Sequence, residues 1–298
     1  MNSVEHQAWL NGALCDSRLI HDRGLMYGDG FFTTLLCNQQ QPLNWSAHWQ
    51  RLETSAQRLG FPKLDQADIE QQLSKVTSNL KDFSIIKLVI TRGAGPGYAA
   101  PLGLGYQDLT RIISVSPVPL ALQASIRASL SGQPSLEGLR IVPCRTPISI
   151  NERLAGIKHL NRLDQVLARS ELPDLGADEG LMLDSQGQVI CGTQSNLVLM
   201  QGQDLISPFL DQSGVYGTCL KSLPSALEQA GLNYRWHFRA IKLVDLFQAD
   251  AVFMCNAVRG IQPVASLLDK NYDLKYVLPI YQAWWRFLLA AYNEPIKA

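Results

Sequence analysis

Patterns typical of strands and patterns typical of helices alternate irregularly along this chain, and that alternation limits its fold more than any other feature. Short β-rich runs at 31–37 and 85–91 lie on either side of a helical run at 47–59, in which apolar residues recur every three or four positions. Near the N-terminus, the pair Asn11-Gly12 is typical of a tight hairpin turn. No regular series of strand, helix and strand indicates a purely parallel sheet. We therefore predict an α+β fold.

The Pro-Val-Pro run at 117–119 is the clearest candidate for a domain boundary. Two prolines so close together stiffen the backbone and remove two amide donors. We therefore predict a small N-terminal α/β domain at 1–117, a linker at 118–127 and a larger C-terminal domain at 128–298.

Composition and charge argue against several classes of protein. The 298 residues are 46% hydrophobic and 17% charged, as in a soluble globular protein. Because 26 basic and 26 acidic residues balance, we expect neither nucleic acid nor a membrane as a partner. The first residues lack the basic start and apolar stretch of a signal peptide, so we expect none. The six cysteines form no Cys-x-x-Cys pair, and we expect no metal site and a cytoplasmic location.

Lys158 stands in a segment that is suited to catalysis. Gly156 precedes it, and an amphipathic helical pattern from Leu160 to Leu172 follows it. A lysine between a small-residue turn and a helical stretch is held rigidly and can face a cavity. Such an amine can be an ordinary solvated charge, or it can form a Schiff base with a carbonyl cofactor. The residues around Lys158 leave both alternatives open.

Two further segments could bind the phosphate of such a cofactor. Arg51 lies in the helical run at 47–59 and can make a bidentate contact to phosphate, although most helix arginines are simply solvated. The run Gly-Val-Tyr-Gly at 214–217 precedes a helical stretch. The free N–H groups of a helix start, together with the Thr218 hydroxyl, can bind an anion. A glycine pair before a helix is usually only a turn, so this segment alone decides nothing.

Several segments together resemble one group of enzymes. The run at 155–169, which contains the sequence Lys-His-Leu-Asn-Arg-Leu, resembles the lysine segment of the 4-amino-4-deoxychorismate lyases. These lyases belong to the fold type IV pyridoxal phosphate enzymes, together with branched-chain and D-amino-acid aminotransferases. The resemblance covers nearly the whole chain. The other segments that match the group in order and spacing are 22–34, 48–52, 177–180, 195–197, 214–217 and 253–256.

The resemblance implies a fold, a cofactor and an activity. The fold is the aminotransferase class IV fold, with a small α/β domain and a larger domain that resembles a β-barrel. The cofactor is pyridoxal 5′-phosphate, and Lys158 is the catalytic residue that forms the imine with it. The activity is conversion of 4-amino-4-deoxychorismate to 4-aminobenzoate and pyruvate, in the biosynthesis of folate. A homodimer is implied, with the site between domains.

The resemblance also implies which residues surround the cofactor and the substrate. The cofactor-binding residues are Arg51, Cys191, Thr218, Asn256 and Ala257. The substrate-binding residues, which extend from the small domain, are Tyr27, Arg92 and Tyr98.

Cys191 departs from the pattern of the group. The group has a glutamate at this position, which pairs with the pyridine nitrogen of the cofactor and keeps it protonated. A neutral thiol is a weak hydrogen-bonding partner, and an apolar site disfavours its ionisation. The cofactor ring is then a poorer electron acceptor. Pro96, Val198 and Leu220 also stand where the group or its lyases commonly have other residues.

Three functions remain open at this point. The lyase reaction forms an aromatic product, and we expect it to depend less on the pyridine nitrogen than transamination does. A D-amino-acid or branched-chain aminotransferase needs a strong electron acceptor, which Cys191 disfavours. The third alternative is a degenerate member of the group with a binding or structural role.

Overall fold

Two large β-sheets, a short hairpin and nine α-helices make up residues 8–15, 18–95, 97–131 and 136–290, which are the residues that the computed structural model describes. The helices are α1 (Arg23–Tyr27), α2 (Trp45–Arg58), α3 (Gln66–Thr77), α4 (Leu120–Leu130), α5 (Leu163–Ser170), α6 (Leu172–Leu175), α7 (Thr218–Gln229), α8 (Leu243–Gln248) and α9 (Leu278–Ala290). The strands are β1 (Ala8–Leu10), β2 (Ala13–Cys15), β3 (Gly30–Asn38), β4 (Gln41–Pro42), β5 (Ser84–Thr91), β6 (Thr110–Pro117), β7 (Leu139–Pro143), β8 (Glu179–Leu183), β9 (Val189–Gly192), β10 (Asn196–Gln201), β11 (Asp204–Pro208), β12 (Arg235–Arg239), β13 (Ala251–Asn256), β14 (Gly260–Leu267) and β15 (Lys270–Asn271).

The N-terminal sheet is antiparallel, with the strand order β4-β3-β5-β6. Buried side chains alternate with more accessible ones along most of β5, as expected for a strand with one covered face. Helices α2 and α3 cover that face: Leu52 and Leu73 join Leu35 and Leu88 in one apolar cluster. This packing holds α2 against β3.

The C-terminal sheet curls into a half-barrel. Within the described residues its order is β12-β11-β10-β13-β14-β7-β8-β9, and β15 pairs with β14. Its central strands are buried on both faces. Val198 and Phe253 belong to an apolar cluster with α7 and α9, whereas Leu197 and Val252 belong to a second cluster with α8. Strands and helices are therefore mixed without a regular βαβ series, which confirms the predicted α+β class.

The predicted hairpin is confirmed, and the predicted helix after Lys158 is shorter than its pattern suggests. Leu10 pairs with Ala13, and both turn residues between them have positive φ angles, 52° and 83°, as a type I′ turn requires. Helix α5 begins only at Leu163, whose side chain is 74% exposed. Lys158 therefore lies in the non-helical segment before α5.

The segment predicted as a linker is mostly helical. Strand β6 continues to Pro117, and α4 begins soon afterwards, because proline has a φ angle that suits the start of a helix. Ile126 of α4 is fully buried in the cluster that includes α9. The hydroxyls of Ser125 and Ser129 lie 3.0 and 2.8 Å from that of Tyr281. The division of the chain into domains at this point stays a prediction.

Helix α9 packs on the core of the C-terminal sheet. Trp284 and Trp285 are almost completely buried in the same cluster as α7. In the part of the chain that the structure describes, every helix is too short or too polar to span a bilayer.

Candidate active site

A cavity of about 470 Å³ is lined by residues from both large sheets. Its charged lining residues are Arg51, Lys158, Arg162 and Arg259, and no aspartate or glutamate among the described residues lines it. Such a wall favours ligands with several negative charges. Uncharged lining residues include Phe32, Thr34, Gln165, Cys191, Ser195, Asn196, Thr218, Asn256 and Ala257.

The backbone around Lys158 is fixed from two sides. Gly156 has a φ angle of 76°, which favours glycine. Its N–H donates to the carbonyl of Gly214 (3.0 Å), and its carbonyl accepts from the N–H of Tyr216 (3.0 Å). Two residues later, the carbonyl of Lys158 accepts from the N–H of Phe32 at 2.9 Å. Lys158 is therefore anchored to β3 and to the turn that precedes α7.

The amine of Lys158 is activated by its surroundings. Its Nζ lies 4.6 Å from the centre of the Phe32 ring. Burial, followed by the charges of Arg51, Arg162 and Lys87, lowers the pKa of Lys158 to about 7. About half of the amines are thus unprotonated at pH 7, and the unprotonated form is the one that attacks a carbonyl.

Arg51 and Thr218 form a part of the wall that is rich in hydrogen-bond donors. Nη2 of Arg51 donates to Oγ1 of Thr33, but its buried Nε has no partner among the described residues. Burial lowers the pKa of Arg51 to about 10, so the side chain stays cationic at neutral pH. Thr218 is the first residue of α7, where backbone N–H groups have no partner within the helix. This arrangement suits a phosphate group.

Cys191 contributes a neutral thiol to another part of the wall. It lies in β9, and burial raises its pKa to about 12. The loop after it is held by the buried carboxylate of Glu179. That carboxylate accepts hydrogen bonds from the N–H and hydroxyl of Thr193 and from the hydroxyl of Ser195, and it pairs with Arg169 at 3.3 Å. Glu179 is thus engaged in fixing the loop and does not line the cavity.

Asn256 shapes the turn between β13 and β14. Its Oδ1 accepts hydrogen bonds from the N–H groups of Val258 (3.0 Å) and Arg259 (2.8 Å). The turn brings Ala257 and Arg259 into the wall of the cavity. The side chain of Asn256 is therefore used to order the backbone.

The predicted site residues fall into two groups. Lys158 and all five predicted cofactor-binding residues line the one cavity. The three predicted substrate-binding residues of this chain do not line it.

The guanidinium of Arg92 makes hydrogen bonds within the chain, outside the cavity. Its Nε donates to the carboxylate of Asp29 (3.0 Å), and its Nη atoms donate to the carbonyls of Leu59 (2.8 Å) and Gly60 (2.9 Å). The guanidinium also lies 4.0 Å from the centre of the Phe61 ring. Arg92 therefore fixes the base of its loop, and its contact with the substrate stays a prediction.

Tyr27 and Tyr98 lie together outside the cavity. Their ring centres are 5.2 Å apart, and Tyr98 is 88% exposed. Arg23 holds this pair in place: it lies 5.2 Å from the centre of the Tyr27 ring and donates to the carbonyl of Tyr98 at 3.1 Å. Pro96, in the same loop, lies outside the described residues.

Three residues that line the cavity or contact its wall were not predicted from the sequence: His48, Arg162 and Arg259. The interaction of His48 with Arg51 could have been inferred, because residues three apart share a face of a helix. Arg162 lies four residues after Lys158, but helical spacing does not apply to this non-helical segment. Arg259 belongs to no pattern, and only the folded turn brings it to the cavity.

Comparisons with known proteins find relatives of one family and one fold. Residues 30–267 match the amino-transferase class IV family. The chain is 31% identical over 260 residues to an aminodeoxychorismate lyase from Vibrio harveyi, covering 87% of this chain and 90% of the relative. It resembles the crystal structure of a 4-amino-4-deoxychorismate lyase from Pseudomonas aeruginosa with a TM-score of 0.78 and 36% identity, over 93% of this chain and 97% of the other. A hypothetical aminotransferase from Mycobacterium tuberculosis in its PLP-bound form shares the fold, with a TM-score of 0.73 and 20% identity over 91% and 92% of the chains.

Proposed function

Because the chain belongs to the amino-transferase class IV family, we propose that it is a pyridoxal 5′-phosphate-dependent lyase that converts 4-amino-4-deoxychorismate to 4-aminobenzoate and pyruvate. The observation that carries this proposal is the amine of Lys158, whose pKa is lowered to about 7 in a cavity lined by cations. The two lyases to which the chain is similar support the same choice of reaction. We also propose a cytoplasmic location, since the cysteines lack the spacing typical of a disulfide framework.

The residues of the cavity fit this cofactor. The phosphate is a dianion that needs several donors, and the buried Nε of Arg51 has no other partner among the described residues. The first turn of α7 and Thr218 add further donors in the same wall. Lys158 supplies the amine. These residues would hold the phosphate and the carbonyl carbon of the cofactor.

Lys158 has two tasks in the proposed mechanism. When bound, the cofactor supplies a carbonyl carbon for amines and a ring that accepts electrons. The unprotonated amine of Lys158 can take a proton from the substrate ring, whose carbon keeps the electron pair. Its protonated form can give a proton to the departing enolpyruvyl group, which leaves as pyruvate. The substrate ring then becomes aromatic, and the pKa of about 7 keeps both forms of Lys158 populated at neutral pH.

Two arginines of the cavity suit the two carboxylates of this substrate. Nε of Arg162 donates to the carbonyl of His159 at 3.0 Å, which orients the guanidinium in the wall. Arg259 lies exposed in the same wall. Oε1 of Gln165 is buried there without a partner among the described residues and can accept a hydrogen bond from the substrate.

The neutral thiol of Cys191 favours the lyase over an aminotransferase. Transamination relies on a cofactor ring that accepts electrons strongly, and a carboxylate near the ring nitrogen strengthens that ability. Burial keeps Cys191 protonated far above neutral pH. The lyase reaction gains stabilisation from its aromatic product and therefore depends less on this residue.

We further propose a homodimer, supported by an exposed apolar surface next to Lys158. The exposed apolar side chains on α1 and α5 are Leu25, Met26, Leu163, Val166 and Leu167. The two helices are close, since Nδ2 of Asn161 donates to the carbonyl of Gly28 at 3.4 Å. A second copy of the chain would cover this surface. The pair of Tyr27 and Tyr98 lies at the end of α1 that adjoins this surface.

Sedimentation can test the dimer. We expect the wild-type chain to sediment as a dimer and Leu167→Asp to shift it towards monomer. Leu120→Asp is the matched control, because Leu120 is also an exposed leucine on a helix. A monomeric wild-type protein would contradict the homodimer.

Spectroscopy and product analysis test the proposed reaction. The purified protein should bind pyridoxal phosphate, and borohydride reduction should attach the cofactor to Lys158. With 4-amino-4-deoxychorismate, pyruvate and 4-aminobenzoate should form in equal amounts. Amino-group transfer to 2-oxoglutarate without pyruvate release would indicate an aminotransferase. A protein that takes up no cofactor would support the degenerate alternative.

A further inference from the structure

His48 connects α2 with the start of α7, which carry Arg51 and Thr218. We call the part of the cavity wall around these two residues the phosphate end. It lies on α2, three residues before Arg51, and only 1% of it is exposed. Its Nδ1 lies 2.6 Å from the hydroxyl of Thr33 on β3, and its Nε2 lies 3.3 Å from the hydroxyl of Thr218 at the start of α7. The imidazole therefore bridges two buried hydroxyl groups.

The neighbours of Nδ1 determine which ring nitrogen carries the proton. A guanidinium only donates hydrogen bonds. Nη2 of Arg51 donates to Oγ1 of Thr33 and also lies 3.4 Å from Nδ1 of His48. A protonated Nδ1 would face this donor, whereas an unprotonated Nδ1 can accept from it. The fully buried hydroxyl of Thr33 can then donate its own proton to Nδ1.

The remaining proton of His48 is on Nε2. Burial, with the charges of Arg51 and Lys158, holds the pKa of His48 well below its usual range, so the ring is neutral and carries one proton. With Nδ1 as acceptor, Nε2 donates to Oγ1 of Thr218. The oxygen of Thr218 therefore accepts from His48, and its own proton stays available for another acceptor in the cavity that Thr218 lines.

We propose that His48 is a positioning residue that makes the Thr218 hydroxyl a hydrogen-bond donor towards the cofactor phosphate. The inference rests on the proposed function, since it assumes that the cavity binds a phosphorylated cofactor. Within this series of hydrogen bonds, each residue donates to the next: Arg51 to Thr33, Thr33 to His48, and His48 to Thr218. Because Arg51 and Thr218 both present donors, this end of the cavity selects the phosphate dianion over the monoanion, whose P–OH group would need an acceptor.

Binding of pyridoxal phosphate and of pyridoxal to the apoprotein tests this role. His48→Phe removes both ring nitrogens, and we expect it to weaken binding of pyridoxal phosphate roughly 10- to 100-fold, as for a lost charge-assisted hydrogen bond. Binding of pyridoxal, which lacks the phosphate, should be unchanged. His48→Gln places an amide donor near the position of Nε2 and should restore most of the affinity. Equal losses for both ligands would overturn the proposal, because they would indicate a general disturbance of the cavity.

A double-mutant cycle tests whether His48 acts through Thr218. Thr218→Val should weaken binding of pyridoxal phosphate, and the variant with both His48→Phe and Thr218→Val should be no weaker than Thr218→Val alone. Additive losses of cofactor affinity in the double variant would overturn the proposed series of hydrogen bonds.

NMR of the apoprotein gives a readout that does not depend on the cofactor. The nitrogen shifts of His48 should show an unprotonated Nδ1 and a protonated Nε2, without titration between about pH 5.5 and 8.5. A proton on Nδ1 would overturn the proposal even if the protein is a lyase. If the wild-type apoprotein binds no pyridoxal phosphate, the proposed function fails, whereas the NMR result still decides the tautomer of His48.

Discussion

At the phosphate end of the cavity, Arg51 and Thr218 belong to a continuous chain of hydrogen bonds, whereas at Cys191 the wall offers a thiol that burial keeps neutral. Both regions are buried and both line the same cavity. The first presents hydrogen-bond donors that suit a dianion, and the second presents an uncharged thiol. In the proposed function, the first region would bind the cofactor phosphate and the second would leave the ring nitrogen without a carboxylate. This combination suits a reaction that is driven by aromatisation of the product.

Replacing Lys158 should have the largest effect, because the proposed mechanism assigns both the imine and the proton transfers to its amine. We expect Lys158→Met to lower the lyase rate by at least about 10³-fold, since the variant loses the general base and acid. The rate of pyruvate release measures this effect. Lys81→Met, at an exposed lysine outside the cavity, is the control and should retain the wild-type rate. A variant at Lys158 with near wild-type activity would remove the basis of the proposed mechanism.

The pH dependence of cofactor binding should show the lowered pKa of Lys158. Only the unprotonated amine attacks the carbonyl, so the initial rate of imine formation should rise with pH through about 7 and level off above pH 8. Between pH 7 and pH 5 the rate should fall roughly 50-fold, as the unprotonated fraction falls from about half to about 1%. A rate that continues to rise up to pH 10 would show that the pKa is not lowered.

Stability of the apoprotein checks the same titration independently. The pKa of Lys158 is lower in the folded chain than in the unfolded chain, which therefore binds more protons between about pH 7 and pH 10.5. The free energy of unfolding should rise with pH over that range, relative to Lys158→Met.

Arg51 and Arg92 should respond differently to the same substitution. Arg51→Gln should weaken binding of pyridoxal phosphate roughly 10- to 100-fold, because a donor to the phosphate is lost. Arg92→Gln should instead lower the free energy of unfolding by about 1–3 kcal/mol, because the hydrogen bonds of Arg92 to the Asp29 carboxylate and to the carbonyls of Leu59 and Gly60 are lost. Cofactor titration and denaturant unfolding of both variants separate these effects. A raised KM for 4-amino-4-deoxychorismate in folded Arg92→Gln, with cofactor affinity unchanged, would instead support its predicted role in substrate binding.

The two arginines also show how far the sequence predicts the site. Both stand in segments that resemble the enzyme group, and the resemblance assigned both to the site. The structure separates them, because the donors of Arg92 are engaged by Asp29 and backbone carbonyls, while Nε of Arg51 has no partner in the part of the chain that the structure describes. Hydrogen bonds between residues far apart in the sequence decide this difference. No local pattern contains them.

Local turn chemistry predicted the fold better than helical periodicity did. Asn11-Gly12 predicted its hairpin because the turn conformation depends on those two residues alone. The helical pattern after Lys158 was less reliable: Leu163 and Leu167 are exposed, and the segment before them pairs with β3. Tertiary hydrogen bonds override helical spacing there.

Cys191→Glu tests the region around the thiol directly. Of the predicted variants, it should change the lyase rate least. The introduced carboxylate would lie in a wall that also contains Arg162 and Lys158, whose charges favour its ionised form. We expect the absorption spectrum of the bound cofactor to change and amino-group transfer to increase, because the ring nitrogen gains a negative partner. The lyase rate should change by less than about tenfold, or about 1.4 kcal/mol in the barrier.

Cys191→Ser is the matched control, because it keeps a small neutral group at the same position. Its cofactor spectrum should stay like that of the wild type. If Cys191→Glu instead raises the lyase rate 100-fold or more, then the neutral thiol limits the reaction, and aromatisation does not relieve the need for a carboxylate. The cavity would then suit its cofactor only at the phosphate end. Such a result would favour the aminotransferase and degenerate alternatives over the proposed lyase.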